Sequence, residues 1–178
     1  MKQGDFTKLA KQYKNRPAYS ELLLTSLLKI IDYDKKRNDF QIVEVGAGTG
    51  KLTKMLLEMG LSVIAVEPND AMREEGIAYT NEFDNVNWIK GSGEETNVDS
   101  NIADWVIMAS SFHWTEPTKS LPEFSRILKD DGYFTAIWNP RNIQISEFHT
   151  KIEDNIKNIV PELQRVSSGS QSTKQWEY

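Results

Sequence analysis

The chain has no cysteine in its 178 residues, so disulfides, thiolate metal sites and a cysteine nucleophile are excluded together. Histidine is almost as scarce: His113 and His149 are too few and too distant in sequence to suggest a zinc centre. The longest apolar runs, such as Trp105-Val106-Ile107-Met108-Ala109, are strand-length and far short of a membrane span. An excess of positive charge is missing as well. At a net charge of −5 there is no basic stripe for a broad phosphate-binding surface, which argues against a nucleic-acid partner and for a small molecule. The start Met1-Lys2-Gln3-Gly4 carries no apolar segment, so a cytoplasmic location with no membrane partner is expected.

What is present is ordinary globular material, with 39% hydrophobic and 26% charged residues and a length suited to one domain. It is organised around Gln41-Ile42-Val43-Glu44-Val45-Gly46-Ala47-Gly48-Thr49-Gly50, where a β-branched run stops at three glycines in five residues. The amphipathic Lys51 to Met59 follows, giving strand, glycine turn and helix. Glycines at such a turn admit positive φ and let a ligand approach main-chain N–H groups, with the positive end of the helix directed at it. A nucleotide-like ligand is one reading; a tight strand-to-helix turn without a ligand is the other. The dinucleotide fingerprint needs a third glycine where this chain has Lys51, so the pattern here is G-x-G-x-G.

Residues 5 to 32 show a helical pattern broken at Arg16-Pro17. After the helix at 51–59, closed by Gly60, the strand Ser62 to Val66 delivers Glu67 about 20 residues beyond the glycine loop, the separation that brings an acid to a ribose in a βαβ unit. The alternative for Glu67 is an acid at the start of the helix 69–80 that favours its dipole. Strands at 86–90 and 103–109 run into Gly91 to Glu95 and Ser110 to Trp114. A helix opened by Thr115-Glu116-Pro117 is expected to turn Leu121, Phe124, Ile127 and Leu128 inward and to close at Lys129-Asp130-Asp131-Gly132, before a fifth strand at 133–138. A last helix, with Ile145, Phe148, Ile152, Ile156 and Ile159 on one face and Ser146 as cap, ends at Pro161; the stretch 167–173 is polar. The alternation implies a parallel sheet with helices on both faces, and every polar cluster named follows a strand, at the edge where such sheets bind ligands.

Taken together, these residues resemble a class I S-adenosylmethionine-dependent methyltransferase of the type 11, ubiquinone-biosynthesis and trans-aconitate-like branch. The likeness rests on E-V-G-A-G-T-G at Glu44 to Gly50, E-P-N at Glu67 to Asn69, G-S-G-E-E at Gly91 to Glu95, S-S-F-H-W at Ser110 to Trp114, and Leu121 to Tyr133, with Tyr13 to Tyr19 upstream. It implies a Rossmann-like three-layer α/β/α sandwich: an N-terminal helical segment at 1–39, a cofactor-binding core at 40–139, and a C-terminal helix and tail at 140–178. It implies S-adenosylmethionine as cofactor, with Gly46, Ala47, Gly48, Thr49 and Gly50 along the methionine part and Glu44 below the loop. Glu67 would hold the ribose hydroxyls, Pro68 and Met72 would lie near adenine, and Ser92, Gly93 and Glu94 would border its edge. Ser110 and Ser111 would lie beside the sulfonium. At Ser92 many relatives carry an acid that bonds the adenine amino group.

Methyl transfer asks a protein mainly to align the acceptor and exclude water. A base is needed only for a protonated acceptor, and His113 is the histidine placed to serve; packing between Phe112 and Trp114 is its other reading. Phe112, Trp114 and Trp138 could bound an acceptor pocket or belong to the core, and Tyr13, Arg16 and Tyr19 could cover the cofactor and contact the acceptor. The family's sheet has seven strands, and this sequence has room for at most one short strand after the fifth. An exposed edge strand is therefore expected, covered by a second copy of the chain or marking a fragment. Two alternatives stay open: a non-catalytic binding or assembly protein of the same fold, and a nicotinamide-dependent dehydrogenase, weakened by Lys51. Nucleic-acid amino methylation is disfavoured because Ser111 to Trp114 lacks the paired prolines of those enzymes.

Overall fold

Five strands, β1 (Gln41–Val45), β2 (Ser62–Val66), β3 (Val86–Ile89), β4 (Ala103–Ala109) and β5 (Leu128–Ile137), form one sheet in the computed structural model. The model describes residues 7, 10–13, 17–33, 40–139 and 146–162. The strand order is β3-β2-β1-β4-β5 and every pairing is parallel. The order reverses direction at β1, so right-handed crossovers put the helices before and after the reversal on opposite faces. This is the Rossmann-like α/β arrangement that the alternation of elements predicts. β1 and β4 lie in the interior of the sheet and are buried along nearly their whole length, which is why they read as continuous apolar runs.

Among the described residues α1 (Ala10–Tyr13) and α2 (Glu21–Ile30) precede the sheet. Ser20 caps α2 by accepting the Leu23 N–H, and Leu24 and Leu28 bury that helix in a core shared with Ile42, Leu56, Trp105 and Ile107. α3 (Lys51–Glu58) ends as its sequence requires: Gly60 takes a left-handed φ of 79°, and the N–H groups of Gly60 and Leu61 bond back to Leu57 and Leu56. α4 (Asp70–Tyr79) starts from Asn69, whose side chain accepts the Met72 N–H. On its far turn Gly76 leaves a notch for Trp88: a Cβ there would stand 2.2 Å from the indole ring.

α5 (Pro117–Ile127) has Pro at its first position, where a missing N–H costs nothing. It buries Ser120, Phe124 and Ile127, while Leu121, expected inward, is 43% exposed. The apolar side chain misled the reading of the helix phase, because the buried set runs at i, i+4 and i+7 from a serine. A second departure concerns 129–132. These residues are an irregularity inside β5 rather than a turn before it: Leu128 pairs with Ala103 and Tyr133 pairs with Trp105, so the intervening residues leave the ladder.

The chain divides into two compact units, Met1–Ile137 and Trp138–Tyr178. In the second, α6 (Glu147–Ile159) has Ser146 at its cap position without a side-chain cap bond, and Phe148, Ile152 and Ile159 are exposed. Ile145 and the polar stretch 167–173 lie outside the described residues. Among the described residues no helix is long and apolar enough to cross a membrane.

Candidate functional site

The carboxyl ends of β1, β2 and β4 meet at the glycine loop. Gly46, Gly48 and Gly50 all have left-handed φ, at 74°, 60° and 77°. At Gly46 the demand is doubled, because a Cβ would come within 2.6 Å of the Ser111 Cβ. The loop is tied to β2 by the N–H groups of Gly46 and Ala47, both donating to the Val66 carbonyl at 2.8 and 3.0 Å. At Gly48 an added Cβ would stand 3.5 Å from Met72 Cε, so the glycine keeps a gap open above the buried methionine.

Glu67 joins the loop to the start of α4. One carboxylate oxygen accepts the Gly48 N–H at 2.9 Å and the other accepts the Asn69 N–H at 2.9 Å. Burial pushes its pKa up, against the two backbone bonds and the nearby Arg73 that favour the charge. A carboxylate has about four lone-pair positions, so two remain for hydroxyl donors. Glu44 lies beneath, 2% exposed, and accepts the Thr53 hydroxyl at 2.6 Å. Burial lifts its pKa to about 8, partly opposed by the Thr53 bond, so it is a neutral acid at pH 7. In the loop, Thr49 Oγ1 is the buried side-chain polar atom without a hydrogen-bond partner among the described residues. Such an orphan costs about 1–3 kcal/mol and marks a place where a polar ligand group fits.

Beyond β4 the chain turns through Ser110, whose φ of 55° is left-handed. For a residue other than glycine that costs about 1–2 kcal/mol. Three bonds hold the turn: Ser110 N–H donates to the Ile137 carbonyl at 2.8 Å, the Tyr19 hydroxyl donates to Ser110 Oγ at 3.0 Å, and Ser111 Oγ donates to the Val45 carbonyl at 3.0 Å. Phe112, His113 and Trp114 follow as one 3-10 turn. Phe112 is buried against Phe124 and Phe134, with ring centroids 6.3 and 5.1 Å away, and so serves the core. Trp114 is 47% exposed, and the His113 ring lies tilted against it with centroids 4.7 Å apart. Partial burial lowers the pKa of His113 and favours the neutral imidazole, the form able to accept a proton.

The post-β3 residues are committed to the loop itself. The Ser92 hydroxyl accepts the N–H groups of Glu94 and Glu95, Glu94 accepts the Glu116 N–H at the start of α5, and Gly93 leaves room for Thr115. Pro68, Lys90, Gly91, Ser92, Glu95 and Asn97 line a shallow surface hollow beside them. Tyr13 is half-buried at the end of α1, which packs on α4, while Arg16 lies outside the described residues and Trp138 belongs to the second unit. Sequence reasoning missed Asn69 and Thr53 as supports. The polar residue one position before a helix was the available signal for Asn69. No local signal joins Thr53 to Glu44.

Residues 43–136, just over half of the chain, match the family model described as a methyltransferase domain. The chain belongs to this methyltransferase family. An uncharacterized methyltransferase of Mycobacterium tuberculosis is 36% identical over 102 residues, which cover 57% of this chain and 41% of that protein. A protein of Saccharomyces cerevisiae described as a probable S-adenosylmethionine-dependent methyltransferase is 30% identical over 131 residues, covering 71% of this chain and 43% of its own length. The chain thus spans less than half the length of these two relatives. A crystal structure of a SAM-dependent methyltransferase from Aquifex aeolicus shares the fold at a TM-score of 0.58, with 22% identity over 87% of this chain and 86% of that one. S-adenosylmethionine is the cofactor that the family implies, and the relatives give no support to a nicotinamide enzyme or to an assembly protein. The residues present fit that cofactor: a glycine cradle, the two open lone-pair positions of Glu67, and the unpartnered Thr49 hydroxyl.

Proposed function

We infer that this chain binds S-adenosylmethionine at the carboxyl edge of β1, β2 and β4 and directs its methyl group to a small-molecule acceptor. The observation that carries the reading is the Gly48 to Glu67 bond, which couples the glycine loop to a buried carboxylate poised for a diol. When bound, the cofactor supplies a methyl on a sulfonium, with a thioether as leaving group. Glu67 accepts from ribose hydroxyls, and the Thr49 hydroxyl of the loop takes a polar group of the methionine end. Ser110 and Ser111 close the loop from the β4 side. His113, neutral and half-buried, can accept a proton at a ring nitrogen from an acceptor that arrives protonated, with Trp114 as an apolar wall beside it. The acidic net charge supports a small acceptor over nucleic acid.

Calorimetric titration of the full chain with S-adenosylmethionine, S-adenosylhomocysteine and NAD tests the first step. Binding of the first two and not the third is expected; binding of NAD alone overturns the reading. Methyl-labelled cofactor should pass its label to small molecules of a cell extract, and label confined to protein or RNA would overturn the acceptor class. The same proposal includes pairing of the open edge of β5 with a second copy, which a monomer in light scattering at micromolar concentration would refute.

A further inference from the structure

We propose that Tyr19 is a positioning residue, acting through Ser110 to seat the turn after β4 on the glycine loop; this rests on the methyltransferase reading above. Tyr19 directly precedes Ser20, the cap of α2, and its ring packs against the core that α2 enters through Leu24 and Leu28. Its hydroxyl therefore reaches Ser110 from a fixed base across 91 positions of sequence, donating to Oγ at 3.0 Å. The acceptor is the residue with the left-handed φ of 55°. That backbone conformation is what turns Ser111 toward β1, where its hydroxyl meets the Val45 carbonyl and its Cβ fills the space that Gly46 leaves free. The next residues are Phe112 and His113, so the same turn aims the histidine.

The chain of contacts runs from Tyr19 to Ser110, then to Ser111, Val45 and Gly46. A strained serine needs a partner to stay in place, whereas a glycine at the same position adopts that φ without help. This difference gives the test. Tyr19→Phe keeps the ring and removes the donor. It should weaken S-adenosylhomocysteine binding about fivefold in calorimetry, within the range for one hydrogen bond. In a Ser110→Gly background the same change should cost less than twofold, because the conformation no longer depends on the tyrosine. An equal loss in both backgrounds would assign Tyr19 a direct ligand contact and overturn the proposal, as would no loss in either. Failure of the unaltered chain to bind S-adenosylhomocysteine would sink the methyltransferase reading and this inference with it. Thermal midpoints measured beside the titrations separate general unfolding from the effect sought: the fivefold loss must persist at a temperature where every variant is fully folded.

Discussion

The two edges of the sheet solve opposite problems with similar residues. At the amino edge, Asp104 is 3% exposed, and one of its carboxylate oxygens accepts both the Gln41 N–H at 2.9 Å and the Lys129 ammonium at 2.8 Å. Nearby, Glu123 takes the Thr96 N–H and hydroxyl and pairs with Arg126, which also reaches the Val98 carbonyl and the Ser100 hydroxyl. At the carboxyl edge, glycines sit at positive φ, a serine is strained, a glutamate is lifted to neutrality and a buried hydroxyl has no partner. Polar groups that close on one another hold the fold; polar groups left open are held for something that arrives later. The same chemistry thus gives stability at one end and binding at the other.

That contrast can be broken by mutation. The largest effect is expected at Asp104→Ala, which removes the acceptor of a part-buried N–H and one carboxylate partner of Lys129. It should cost about 3 kcal/mol in chemical denaturation while leaving cofactor affinity in the surviving folded protein unchanged. Glu67→Gln should weigh the other way: an affinity loss on the order of 100-fold by calorimetry, with a smaller stability cost of about 1–2 kcal/mol, since the amide keeps an acceptor for only one of the Gly48 and Asn69 N–H groups. Equal effects on both readouts at either position would erase the distinction between the edges.

The third test is acid. Arg126 and the two Thr96 bonds hold the Glu123 carboxyl at about 2, below its ordinary 4.5. The unfolded chain therefore binds the proton first as pH falls. The stabilisation is complete above about 4.5 and is lost toward 2, at most about 2–3 kcal/mol. Glu123→Gln should flatten the stability profile across that window, and an unchanged acid limb would refute the assignment. The smallest effect is expected at Thr49→Val. Replacing an unpartnered hydroxyl by a methyl should stabilise the free chain by about 1 kcal/mol and weaken S-adenosylmethionine binding a few-fold. A loss of stability would mean that the hydroxyl is already satisfied.

The central unit from β1 to α4 was legible in the sequence because period and glycine agree there: Gln41 to Val45, the three glycines and Gly60 each signal one boundary. Glu67 was legible for the same reason, at the end of a short strand one crossover from the loop. The start of β5 was not, since Lys129-Asp130-Asp131-Gly132 has turn composition, and only the register with Ala103 and Trp105 shows that strand pairing resumes across it. Ser120 went unseen because a buried serine carries no apolar signal. The roles of Ser92 and Glu94 depend on loop partners set by the packing of α5, and Tyr19 meets Ser110 through tertiary structure alone.

The notch at Gly76 has a mechanical consequence for the ligand end of its helix. With the indole of Trp88 wedged there, and its N–H bonded to Thr80 at 3.0 Å, α4 cannot roll about its own axis. Asn69 and Met72, toward the opposite end of that axis, are clocked by the tryptophan wedged at Gly76. The orientation of the binding wall is thus set from behind.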